Sequence, residues 1–215
     1  KQGLSGKDSV RIADGTFDIT SGGDAIHGEN ADDETKGFVY VANGSFKVNV
    51  DGDGISASYV VQLDDGTYEI TAGGGSARAQ SKNSMSDMGP GNMQDNSTEA
   101  ESDSDTSTKG IKAASALQIN GGTYNIHSAD DSIHSNGDVY INTGTLELST
   151  GDDGIHADSA TDVTDGTITI SQCYEGMEGQ MIDISGGVIN ITASDDGLNA
   201  AGGNDSSNNN GPGGG

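Results

Sequence analysis

The residues best equipped for chemistry are in Gly151-Asp152-Asp153-Gly154-Ile155-His156-Ala157: two adjacent carboxylates, with an imidazole three residues after the second. Ala129-Asp130-Asp131-Ser132-Ile133-His134-Ser135 is a near copy, and Ser194-Asp195-Asp196-Gly197-Leu198-Asn199-Ala200 is a third. Shorter echoes are Gly23-Asp24-Ala25-Ile26-His27 and Asp51-Gly52-Asp53-Gly54-Ile55-Ser56. Lys109-Gly110-Ile111-Lys112-Ala113 and Tyr174-Glu175-Gly176-Met177-Glu178 have the same shape with other charges. Aligned, the units place Asp24, Asp53, Lys109, Asp131, Asp153, Glu175 and Asp196 at one position. Asp130, Asp152 and Asp195 precede it, and His27, Ser56, Lys112, His134, His156, Glu178 and Asn199 follow three residues on.

If these positions stack, the carboxylates repel. Two like charges ~4 Å apart cost about 1 kcal/mol in water and about 4 kcal/mol at an effective dielectric of 20. A dication that takes many oxygen ligands at tolerant geometry answers that repulsion, which describes calcium. Asp24, Asp53, Asp130, Asp131, Asp152, Asp153, Glu175, Glu178, Asp195 and Asp196 are therefore the candidate metal ligands. Zinc is disfavoured, because its tetrahedral sites want converging His and Cys. Here the histidines come one per unit and Cys173 stands alone. Turn formation is the competing account of the acids, since Asp-Gly is a preferred turn dipeptide. On the same footing the histidines form a solvated column, Lys109 and Lys112 compensate Asp53 and Asp131, and Cys173 is a small turn residue.

The elements that must position these residues read as short strands. Gly15, Gly44, Gly66, Gly122, Gly144, Gly166 and Gly187 each open a run of apolar-polar alternation such as Gly66-Thr67-Tyr68-Glu69-Ile70, the mark of a half-buried strand. Before them lie Val10-Arg11-Ile12, Val39-Tyr40-Val41, Val61-Gln62-Leu63, Leu117-Gln118-Ile119, Val139-Tyr140-Ile141 and Ile182-Asp183-Ile184. The unit repeats about every 22 residues. No single unit buries its own apolar side chains, but stacked units ~4.8 Å apart share a continuous core. This predicts an all-β chain: a right-handed parallel β-helix of about seven coils. Residues 1–201 form one domain, with a low-complexity surface insertion at about 75–108 and a flexible Gly/Asn-rich tail at 202–215. Hexapeptide helices, calcium-binding nonapeptide rolls and leucine-rich repeats fit this period and pattern poorly.

Thirty-five Gly, no Trp and 31% hydrophobic residues agree with a thin elongated core. A net charge of −25 repels nucleic acid and anionic membranes and attracts cations. One Cys excludes an intrachain disulfide framework. No apolar run is long enough to insert into a membrane.

The order of motifs at 109–113, 129–135, 151–157, 174–179 and 194–205 resembles a family of secreted bacterial carbohydrate-binding β-helix proteins of the pectate-lyase-like superfamily. The resemblance spans nearly the whole chain. It implies bound Ca2+, an extracellular, cell-surface location and binding of plant cell-wall polysaccharides such as cellulose and pectic acid. Tyr40, Tyr140, Lys112, His134 and His156 are candidate sugar contacts, although Tyr40 and Tyr140 lie three coils apart. Three functions follow: non-catalytic calcium-dependent polysaccharide binding, a calcium-dependent polysaccharide lyase, or a structural adhesin or stalk. A lyase needs a lysine or arginine base, for which Lys109, Lys112 and Arg78 are the candidates. Lysines within an acidic ladder hold their protons more tightly, which opposes that role.

Overall fold

The computed structural model describes residues 1–78 and 107–200. The insertion at about 75–108 lies outside the described residues except for its first four and last two positions, and the tail at 202–215 lies outside them entirely. Coil six shows the repeating plan: a short strand Ile155–Ala157, a middle strand Ala160–Val163 and a long strand Thr167–Cys173. Equivalent strands of successive coils pair in parallel, giving one eight-stranded sheet of short strands and two seven-stranded sheets of middle and long strands. The chain is a parallel β-helix.

Register turns the sequence alignment into physical columns. Along the short-strand sheet Leu4, Ile26, Ile55, Ile111, Ile133, Ile155, Met177 and Leu198 stand in line. Ile55 pairs directly with Ile111, so the coil broken after Ala72 resumes in register at Lys109. The strand Leu4–Gly6 was not anticipated. It precedes the first acidic unit, so no Asp announces it.

The Gly15 to Gly187 column makes the turn into each long strand. All seven glycines have positive φ, from 92° to 148°, a region L side chains rarely enter. A Cβ on Gly166 would also sit 2.7 Å from the carbonyl oxygen of Gly144 one coil below. Just inside this turn Phe17, Phe46, Tyr68 and Tyr124 form a stacked ladder, with centroids 4.9, 4.8 and 4.6 Å apart and planes within 4° of parallel. Tyr68 and Tyr124 are fully buried, and their hydroxyls donate to the Asp65 and Gly121 carbonyls. Leu146, Ile168 and Ile189 continue the column.

Cys173 departs from the sequence reading. The register slips between Ile170 and Cys173, so coil six carries a bulge. Cys173 thereby takes the inward place held by Ala193 in the next coil. It is buried and ends the strand rather than forming the turn.

Candidate metal and glycan sites

The acidic column stands in the turn between the long strand and the next short strand, and backbone amides neutralise much of its charge. Asp24 Oδ1 accepts the amide of Asp53 at 2.9 Å, and Asp53 Oδ1 accepts that of Lys109 at 2.8 Å. Asp131 Oδ1 accepts the amide of Asp153 at 3.0 Å, and Asp153 Oδ1 that of Glu175 at 3.1 Å. Each carboxylate thus pins the next coil. Lys109 has no acceptor to offer Asp131, and there the neighbouring Asp130 Oδ1 takes the Asp131 amide instead, at 3.1 Å. The second carboxylate of the pair repairs the rung that lysine breaks. The repulsion argued from sequence overlooks this backbone contribution.

The other carboxylate oxygens face the outward column of the short-strand sheet. Lys109 Nζ lies 2.8 Å from Asp130 Oδ2 and 2.7 Å from Asp131 Oδ2. It does compensate Asp131, but its second partner is Asp130 rather than Asp53. The two carboxylates raise the lysine well above its ordinary value despite burial that works the other way, the reverse of what a lyase base needs. Asp152 joins Asp130 and Asp131 in an all-oxygen cluster. Three carboxylates there share one ammonium, and the Asp152 carboxyl is pushed up to about 7 by desolvation and by Asp131, Asp153 and Asp130. Oxygen donors in deficit of positive charge suit calcium.

The histidines are not a solvated column. His134 and His156 side chains are 13% and 16% exposed, and their rings stack with centroids 4.9 Å apart. His134 Nδ1 lies 2.8 Å from Asp131 Oδ2 and its Nε2 lies 3.2 Å from Asn136 Oδ1. His156 repeats the pattern one coil on, with Asp153 Oδ2 at 3.3 Å and Asp158 Oδ1 at 3.1 Å. Burial works against the charge on His156, but Asp153, Asp131, Asp158 and Glu178 outweigh it and hold the imidazolium up to about 10. Asp153, His156 and Glu178 form a second cluster, and Asp131, His134 and His156 a third that shares His156 with the second and Asp131 with the first.

The other candidate ligands stand apart from these clusters. Asp24 pairs with His27 and Ser56, and Asp53 is buried behind the Lys109 amide. Asn199 Nδ2 donates to both carboxylate oxygens of Glu175, at 3.0 and 2.9 Å. Asp195 and Asp196 are exposed at the last coil.

The candidate sugar contacts fall on two faces. Lys112, His134 and His156 occupy consecutive coils of the short-strand sheet, with Lys112 Nζ 3.4 Å from Ser107 Oγ. Tyr40 and Tyr140 stand on the middle sheet, donating to Asp64 at 2.6 Å and Asp138 at 3.0 Å. Tyr140 has no aromatic stacking partner among the described residues, but Tyr40 has company that the sequence did not disclose. Phe38, Tyr40 and Tyr59 converge with Arg11 and Gln62 around a pocket of about 300 Å³. The Arg11 guanidinium carbon lies 4.9 Å from the Phe38 ring centroid and 6.0 Å from that of Tyr40. Alternation marks Tyr40 as outward, but Phe38 and Tyr59 lie at strand entries, where it says nothing.

A family model described as carbohydrate-binding domain-containing protein matches residues 1–154 and, again, residues 135–211. The chain belongs to this carbohydrate-binding family. The two matches overlap across coil five, as a repeated unit allows. Polysaccharide is therefore the partner class. No curated protein and no solved structure matches the chain.

Proposed function

We propose that this chain is a non-catalytic, calcium-dependent binder of plant cell-wall polysaccharide, acting outside the cell at the bacterial surface. The observation that carries the reading is the Arg11–Phe38–Tyr40–Tyr59 pocket. Of three Phe and six Tyr, four are taken up by the core ladder, and three of the remaining five meet here. Half-exposed rings offer sugars an apolar face at low entropic cost. Arg11, held over Phe38, is positioned to pair with a uronate carboxylate in the bidentate manner of guanidinium groups. This favours pectic acid, with cellulose reached through the rings alone. Asp130, Asp131 and Asp152 would hold calcium, which would bridge an acidic glycan to an acidic surface. Lys109 keeps that cluster from self-repulsion when no ion is present.

Binding to polygalacturonate and to cellulose, followed by affinity electrophoresis with calcium and with chelator, tests the reading. Pectate binding should vanish in chelator and fall at least tenfold in Tyr40→Ala and Arg11→Ala. Retention of full binding in chelator would remove the calcium requirement. A calcium-dependent rise in ultraviolet absorbance from unsaturated uronate products would make the protein a lyase instead.

A further inference from the structure

We propose that Asp153, His156 and Glu178 form a second cation site, distinct in chemistry from the all-oxygen cluster, that takes a borderline divalent ion of the zinc class. Asp153 Oδ2 and Glu178 Oε2 lie 3.3 Å and 2.8 Å from His156 Nδ1. Tetrahedral bonds of about 2.0–2.1 Å separate neighbouring ligand atoms by about 3.3 Å, so the cluster needs only a slight opening at Glu178. A site with three protein ligands leaves the fourth position for water or another donor.

Two features of the site point to an ion. Glu178 is 3% exposed, and its Oε2, 2.8 Å from His156 Nδ1, has no well-aligned hydrogen-bond donor among the described residues. A buried carboxylate oxygen without an aligned donor is costly. Second, Asp158, acceptor-only when ionised, engages His156 Nε2 at 3.1 Å from outside. That contact places a proton on Nε2 and turns Nδ1 inward, the carboxylate–histidine arrangement that orients a metal ligand. Asp130 and Asp131 already have the Lys109 ammonium. Two rungs further on no lysine lies within ion-pair reach among the described residues, while Glu178 brings one more carboxylate. No cysteine is needed here, because two carboxylates complete the donor set around His156. In the absence of an ion Asp153, Asp131, Asp158 and Glu178 outweigh burial and favour the protonated form of His156, whose ring stacks on His134. Binding exchanges that proton for the metal.

The test is zinc titration by calorimetry near neutral pH, on protein stripped by chelator and then saturated with calcium. One zinc should bind per chain. Affinity should fall at least tenfold in His156→Gln and in Glu178→Gln, and stay within twofold in His127→Gln, which alters a histidine on the long-strand face. Cobalt should give visible d–d bands that His156→Gln abolishes. Nitrogen NMR of unaltered protein reads the site without substitution: zinc should move the His156 Nδ1 resonance to that of a ligated nitrogen. An imidazolium that persists at saturating zinc, or zinc affinity unchanged in both variants, would overturn the proposal.

Discussion

Asp53 and Asp131 occupy one column and do different work. Asp53 is buried and its carboxyl is raised, first by desolvation and then by Asp24, while its Oδ1 holds the Lys109 amide. Asp53→Asn keeps that acceptor and removes the charge. It should leave thermal stability unchanged or improved near neutral pH, whereas Asp53→Ala should cost about 1–3 kcal/mol in denaturant unfolding. Equal losses in both variants would mean that the charge itself is needed. Asp131 is the opposite case, held well below the usual carboxylate range by His134 and Lys109 against its burial. The sequence marked both as one motif because spacing reports position, not protonation. Which carboxylates converge depends on side-chain direction, and Lys109 in place of an acid reroutes its neighbours.

The same residues set the pH response. Asp152 and Glu178 titrate near 7 in the fold, above the ordinary carboxylate range. Their ionised forms therefore oppose folding above about pH 7, and that cost is relieved as pH falls toward about 4. His156, raised to about 10, contributes stability fully present below its ordinary value near 6.5 and lost as pH rises through 10. Asp131 and Asp24, both lowered, lose their contribution only below the ordinary carboxylate range. Asp152, Glu178 and His156 therefore act in one direction between about pH 8 and pH 5. The melting temperature in chelator should rise as pH falls across that window, and a flat or opposite trend would contradict the assignment. Calcium should flatten the slope, because it competes with protons for the same oxygens.

At the scale of the element, strand alternation and the glycine column were legible because each position obeys a local steric rule. The strand Leu4–Gly6 and the bulge at Cys173 were not. The first carries no acidic signal, and the second is a shift of register between coils that sequence spacing hides, since Glu175 still follows Gly166 by the usual interval. Gly166→Ala combines a φ of 112° with a Cβ pressed on the Gly144 carbonyl. It should destabilise the fold by about 1–3 kcal/mol, whereas Gly197→Ala, with open space at its Cβ, should cost far less. Tyr124→Ala, which breaks the buried aromatic ladder, should cost about 3–5 kcal/mol in the same unfolding measurement.

At the scale of the molecule, a thin core and a charge of −25 predict that cations raise stability, read as a higher melting temperature with calcium than with chelator. An ion at about 100 times its dissociation constant adds about 2.7 kcal/mol to a site present only in the fold. A solenoid also assembles by neighbour contacts, and here most of these close a loop of about 22 residues. The pairing of Ile55 with Ile111 spans 56 residues. Closing that longer loop costs about 0.8 kcal/mol more, a slowing of about fourfold if docking limits the rate. Folding can then nucleate on either side of this junction and zip outward, with the joining of the two halves as the slow event. Removing residues 79–106 should speed that event and leave the unfolding rate nearly untouched.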